Sequence, residues 1–100
     1  MNKVCKIQIA SEFGTDLSSR ARAGLLRRRI ADSVDTSSVP ITVDFTGVRT
    51  LSTSFADEAF AVLVHNRGEE WFRENVRLIG DSPIVKSSIS SAIAHRCEPA

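Results

Sequence analysis

The stretch Pro40-Ile41-Thr42-Val43-Asp44-Phe45-Thr46-Gly47-Val48-Arg49-Thr50-Leu51-Ser52-Thr53-Ser54-Phe55-Ala56-Asp57-Glu58 holds the change of period that decides the fold. Pro40 opens Ile41–Phe45, whose β-branched and aromatic residues predict a short strand. Thr46–Thr53, with Gly47 inside it, predicts a loop that leaves room for an extra short strand at Val48–Leu51. From Phe55 onward Phe55, Ala59, Val62 and Leu63 recur at helical steps. That pattern predicts a helix over Phe55–Asn66, stopped by Gly68.

Working outward from this strand–loop–helix unit, the same alternation continues on both sides. On the N-terminal side, Cys5, Ile7 and Ile9 alternate with Lys6 and Gln8, which predicts a strand over Lys3–Ala10. Ser11–Asp16 reads as a loop. Ala23, Leu26, Ile30 and Val34 then predict a helix from about Ser18 to Ser33, followed by a polar break at Asp35–Ser38. On the C-terminal side, Asn75–Ile79 predicts a third strand. Ser82-Pro83 then places a capping serine before a first-turn proline, opening a last helix that runs to about His95. Its apolar stripe is Ile84 or Val85 with Ile89 and Ile93, and its outer face is serine-rich.

The order is β-α-β-α-β-α, which implies an α/β fold with a small, mostly parallel sheet joined by crossover connections. One hundred residues make one domain. A sheet of three strands has edges open to pairing with a partner chain, so a homo-oligomer is compatible with it.

Composition narrows the function classes. Hydrophobic residues are 42% and charged residues 25% of the chain, as in ordinary globular domains, which excludes collagen-like and disordered classes. No run approaches the roughly eighteen apolar residues of a membrane span. Met1–Lys6 lacks the apolar core of a signal peptide, so the expected compartment is the cytoplasm. Thirteen Lys and Arg against twelve Asp and Glu leave +1, without the basic excess of a nucleic-acid binder. Tyr is absent and Trp71 stands alone, which argues against a base-stacking platform. Cys5 and Cys97 stand at opposite ends, outside any Cys/His cluster. That spacing argues against zinc, and in a cytoplasmic chain it favours reduced thiols over a disulfide.

In a sheet of this type, the loops leaving the carboxyl ends of the strands gather on one edge, where ligands usually bind. Here Ser11–Ser19, Thr46–Ser54 and Gly80–Pro83 bring Thr15, Ser18, Ser19, Thr46, Ser52, Thr53, Ser54 and Ser82 to helix N-termini, with Arg20 in the first turn of the first helix. Two readings stand side by side. The hydroxyls are helix caps, as Ser and Thr are in every α/β protein. Alternatively, with Arg20, they seat a phosphate or nucleotide at the positive ends of the helices. The strong phosphate-loop and dinucleotide motifs are absent. Ser54 and Asp57 fit a capping box, which makes Ser54 the start of its helix and Phe55 the buried anchor. The same position leaves a hydroxyl on the exposed edge, within reach of a partner.

Catalysis is not expected. His65 lies eleven residues after Ser54 in one helix, about 16 Å along its axis and beyond hydrogen-bond reach. His95 is expected at the opposite edge of the fold. Asp57 and Glu58 are adjacent and should point to different sides of the helix, which suits capping or partner contact better than acid–base work. Asp57 and His65 are about 12 Å apart by helical rise, too far to share a metal. No cofactor and no metal site is expected. Arg27-Arg28-Arg29 reads as a solvated face with one arginine at an interface, and Trp71 and Phe72 read as core closure.

The segment Ser52–Glu58, taken with Val43-Asp44-Phe45-Thr46-Gly47-Val48, resembles a STAS domain, the type named for sulfate transporters and anti-sigma factor antagonists. More specifically, the chain resembles a small bacterial STAS-like family of unknown function. The residues carrying this are Phe13-Gly14-Thr15, Ser19-Arg20, Val43-Asp44-Phe45 and Ser54-Phe55-Ala56-Asp57-Glu58. The likeness runs from the Phe13 loop to Arg96.

The resemblance implies a regulatory protein-interaction module whose partner is a histidine-kinase-like ATPase, released when one serine at the start of the second major helix is phosphorylated. Matching Asp44-Phe45-Thr46-Gly47 to the family's Asp-Leu-Ser-Gly strand end places Ser54 at that serine, with Thr53 beside it. Partner or anion contacts would then fall to Thr15, Ser19, Arg20, Thr46, Ser52, Asp57 and Glu58. The chain departs from the family's Asp-Ser-Ser-Gly pattern at two positions. Phe55 stands where the family has glycine, and Ser52 where it has the acid.

Overall fold

The computed structural model describes residues Lys6–Cys97. Strands β1 (Lys6–Gln8), β3 (Ile41–Asp44) and β5 (Val76–Ile79) form a parallel sheet in the order β1-β3-β5. Its register sets Ile7, Val43 and Leu78 in one row, with Lys6, Thr42 and Arg77 in the next. Side chains alternate across a sheet, so Ile7, Ile41, Val43, Val76 and Leu78 share the face covered by the helices. Lys6, Gln8, Thr42, Asp44, Arg77 and Ile79 share the other face. Parallel sheets usually bury both faces, and the polar second face here is a departure from that habit.

The strand expected over Lys3–Ala10 ends at Gln8. Its Cys5 portion lies outside the described residues, as does the redox state of Cys5; Cys97 is exposed and has no disulfide partner among the described residues. Ile9 is fully buried, but the chain turns there into a single helical turn, α1 (Ile9–Glu12). Glu12 reaches back to accept the Gln8 N–H at 3.1 Å and satisfies the donor that a longer strand would have used.

The expected loop then contains a two-residue strand, β2 (Asp16–Leu17). It pairs in parallel with β4 (Thr50–Leu51), the extra strand foreseen within Val48–Leu51.

Helix α2 (Arg20–Ser37) starts after its cap Ser19, whose hydroxyl accepts the Arg22 N–H. It runs through the polar stretch expected to break it. Asp, Thr and Ser only weaken a helix; the stop comes at Ser38, in the left-handed conformation with φ 59°. Ala23, Leu26, Ile30 and Val34 form its buried stripe, as the periodicity predicts.

The second major helix is continuous but not uniform. It comprises α3 (Thr53–Ala56), a π-helical turn (Asp57–Ala61) and α4 (Val62–Arg67), and it ends at Gly68 with φ 98°. In the π-turn the Val62 N–H donates to the Asp57 carbonyl, five residues back. The wider turn changes the helical phase, so Leu63 and Val64 face the core while Val62 is half-buried. Glu69–Asn75 forms a short helix, α5, between Gly68 and the third strand of the sheet, where the pattern predicts no element. Helix α6 (Pro83–Cys97) begins as expected, with Ser82 Oγ accepting the Val85 N–H at 3.3 Å. Val85, not Ile84, is its buried first-turn residue, and Ile89 and Ala92 continue the stripe.

Three phenylalanines at the centre of the core, Phe45, Phe55 and Phe60, are essentially inaccessible. Phe60 lies 5.8 Å from Phe45 and 6.4 Å from Phe72, in the tilted and edge-on arrangements that aromatic pairs prefer. Trp71 and Phe72 close this core from α5, as their sequence context suggests. Among the described residues no helix is long and apolar enough to cross a membrane.

Candidate functional site

The hydroxyl residues gathered at the strand ends divide sharply. Thr46 is used by the fold: its N–H and Oγ1 both donate to Asp44 Oδ1, at 2.9 and 2.7 Å. These bonds and Lys6, 3.4 Å away, hold the buried Asp44 carboxyl below its usual range, the Thr46 hydroxyl contributing most. Thr15 donates to Asp16, and its carbonyl accepts the Arg49 and Thr50 amides, so it serves the β2–β4 pair. Ser19 and Ser82 are caps.

Ser52, and not Ser54, caps the second major helix, accepting the Phe55 N–H at 3.0 Å. The capping box read at Ser54 and Asp57 is therefore not formed. The helix begins two residues earlier, and Asp57 is turned toward arginines of other helices. Thr53 and Ser54 sit in the first turn, exposed, and neither hydroxyl has a partner among the described residues.

These two residues line an open depression of about 470 Å³ together with Arg20, Asp57, Ala92, His95 and Arg96. Its electrostatics centre on Asp57. Arg96 donates from Nε and Nη2 to Oδ1 and Oδ2 at 2.6 and 2.7 Å, a two-pronged fork, and Arg20 Nη1 donates to Oδ2 at 3.0 Å. The Arg96 fork, helped by Arg20 and opposed by partial burial, holds the Asp57 carboxyl down to about 2. Arg20 also donates to Glu58 Oε1 at 3.1 Å. Glu58 is paired to Arg27 as well, and Arg27, then Arg20, lowers its pKa. Asp57 and Glu58 thus share Arg20, whose one Nη1 reaches both carboxylates, contrary to the separation expected of neighbours on a helix. Two arginines of the triplet, and not the single one expected, reach other elements: Arg29 pairs with Glu12 of α1, and Arg27 with the π-turn. Besides the Glu58 carboxylate, Arg27 binds the Glu58 carbonyl at 2.9 Å, satisfying a backbone group within the π-turn.

His95 lies in the same depression as Ser54, which corrects its expected place at the opposite edge. Helix α6 packs against α3, the π-turn, α4 and β4, so its last turn returns to the start of the second major helix. His95 and Arg96 are the site residues missed in the sequence. The only local signal was a basic last turn, which complements the dipole of any helix. The Asp57 carboxylate is taken up by arginines, and among the described residues none hydrogen-bonds His95, so no triad-like relay forms. Of the residues foreseen, the structure brings together Arg20, Thr53, Ser54 and Asp57, with Glu58 joined through Arg20. Thr15, Ser19, Thr46 and Ser52 serve the fold. Among the described residues no group of three His, Cys, Asp or Glu is arranged to hold a metal ion.

Comparison with known proteins returned no match among curated proteins and none among solved structures. Residues 23–86 match the family model of a STAS-like domain of unknown function (DUF4325). That span carries the central strand β3, the Ser52 cap, the two free hydroxyls, the π-turn and β5, whereas Arg20, His95 and Arg96 lie outside it. With well over half its length matched, and with a parallel α/β fold around the matched segment, the chain belongs to the STAS-like DUF4325 family.

Proposed function

We propose that this protein is a non-enzymatic regulatory interaction module. It docks a protein partner through the second major helix and the Thr46–Ser54 segment that leads into it, under the control of a phosphate placed on Ser54 or on Thr53 beside it. The observation that carries this reading is the contrast within one helix start. Ser52 is consumed by the cap, while Thr53 and Ser54 present unpartnered hydroxyls to solvent on the rim of a depression flanked by Arg20 and Arg96. In this scheme a separate kinase transfers a phosphoryl group from a nucleoside triphosphate to Ser54 Oγ. The bond to the γ-phosphorus breaks as the Ser54 O–P bond forms, and the nucleoside diphosphate and the hydroxyl proton leave. The kinase-like ATPase domain implied by the family resemblance is both the proposed partner and the natural source of that activity.

The test combines two measurements. The intact mass of the protein from its native cells, with fragment mapping, should show one phosphate on Ser54 or Thr53. Affinity capture with the unmodified chain should retain an ATPase-type protein, and Ser54→Asp should lose it. An unmodified chain with the same partners for wild type and Ser54→Asp would sink the proposal.

A further inference from the structure

Asp57 does more than pair with one arginine. Its carboxylate bridges two helices, because Arg20 belongs to α2 and Arg96 to α6, and the bridge lies along the depression that Thr53 and Ser54 line. Thr53 and Ser54 precede Asp57 by four and three residues, the spacing at which side chains on one helix are neighbours, about 5–6 Å apart at Cβ. A phosphate at either hydroxyl, or a free one resting in the depression, therefore reaches the same guanidinium groups that Asp57 holds. A carboxylate offers one negative charge. A phosphate monoester offers ~1.5 to 2 charges and three acceptor oxygens, which match the arginine fork as well or better. Both arginines are partly solvent-exposed, with side-chain exposures of 52% for Arg20 and 38% for Arg96, so they can change partner without unpacking the core.

We propose that the depression is a receptor for a phosphate group, and that Arg96 and Arg20 move from Asp57 to bind it. The exchange unties the last turn of α6 from the π-turn and changes the charged surface beside the docking helix. For a phosphate ester on Ser54, this inference rests on the regulatory reading above. For a free or ligand-borne phosphate it stands apart from that reading.

The experiment follows the Arg20 and Arg96 side-chain Nε–Hε signals of the full-length, nitrogen-labelled chain by NMR. With inorganic phosphate as the probe, a saturable shift of the Arg96 signal is expected at millimolar concentration. Arg96→Gln abolishes the saturable response of Arg20. Asp57→Asn, which removes the built-in competitor, tightens binding about tenfold. Asp35→Asn removes an equal charge at the separate Arg67 pair and leaves the affinity within about twofold. In a second arm, phosphoserine is incorporated at position 54. The Arg96 signal is then shifted without added phosphate and shows coupling to phosphorus across the hydrogen bond.

A response to free phosphate without one to phosphoserine-54 supports the receptor and assigns it to a soluble phosphorylated ligand. The reverse assigns it to the chain's own serine. No saturable shift up to about 50 mM phosphate, together with an unshifted Arg96 in the phosphoserine chain, overturns the proposal. If Arg96→Gln fails to fold, Arg96→Lys keeps the charge, loses the fork and should weaken phosphate binding several-fold. Neither arm uses a protein partner, so failure here leaves partner docking to be judged by the capture experiment.

Discussion

Asp44 and Asp57 are two carboxylates with lowered pKa held in opposite ways. Asp44 ends the central strand, is 8% exposed, and receives two of its bonds from Thr46, only two residues along. Its strongest partner comes with the local turn, Lys6 adds a charge from β1, and Gly80 seals the corner from the other side. Asp57 sits in the π-turn and takes its bonds from residues 37 and 39 positions away, on side chains that solvent reaches. The first arrangement specifies a fold. The second is a contact between preformed parts, open to competition. A depressed carboxyl pKa alone does not separate the two; the sequence distance and exposure of the partners do.

The largest effect is expected where Asp44 is sealed. A Cβ on Gly80 would stand 2.5 Å from Thr46 Oγ1, 2.7 Å from Asp44 Oδ1 and 2.8 Å from the Thr46 nitrogen, at a φ of +69°. Gly80→Ala should therefore cost about 3 kcal/mol of stability in urea denaturation, combining left-handed strain with a clash that backbone cannot avoid. A loss below about 1 kcal/mol would show that this corner yields, and would remove the rigidity on which the contrast depends.

Next in size is the carboxylate itself. Asp44→Ala strands the Thr46 donors and should cost about 2 kcal/mol. Asp57→Asn, whose former partners can turn to water, should cost about 1 kcal/mol in the same assay. Equal losses would break the comparison.

The pH dependence sharpens it. Because the folded-state pKa of Asp57 is lowered from 3.8 to about 2, its stabilisation is present above the unfolded value and is lost as pH falls through the folded one. The stability difference between wild type and Asp57→Asn should be constant near neutrality, shrink below about pH 4 and vanish only below about pH 2. Denaturation curves across that range would check this. A difference that grows on acidification would assign the pair the wrong sign.

The smallest effects test the two serines. Ser52→Ala removes the cap and should cost about 1 kcal/mol, whereas Ser54→Ala should stay within about 0.5 kcal/mol. Thermal or chemical denaturation of the pair decides whether Ser54 is free of structural duty.

Much of the fold was legible because each part depends on short-range pattern. Ala23, Leu26, Ile30 and Val34 declared their helix, Ile41–Phe45 the central strand, and Ser82-Pro83 the start of the last helix, all within about a dozen residues. The parts that escaped depend on what lies across the chain. Nothing local marks Asp57–Ala61 as a π-turn; its Glu58 carbonyl is satisfied by Arg27, thirty-one residues earlier. Gly68 reads as a helix stop, which it is, but Glu69-Glu70 then supplies the acidic first turn of α5. Ser52 and Ser54 offer two overlapping caps, and the choice between them turned on whether Asp57 faces its own N-terminus or the arginines. The path of α6 is a packing outcome, so His95 and Arg96 could not be placed beside Ser54 from periodicity.

The π-turn works as a phase adjuster between two jobs given to one rod. Residues before it are timed to the depression, and residues after it to the core. An α-helix advances about 100° per residue, so winding these same residues as an unbroken α-helix, with none lost, would swing one half out of step with its neighbours by up to about that angle. Winding and length are therefore coupled in this helix: its exposed Thr53 and Ser54 and its buried Leu63 and Val64 are both correctly aimed because the wide turn takes up one surplus residue.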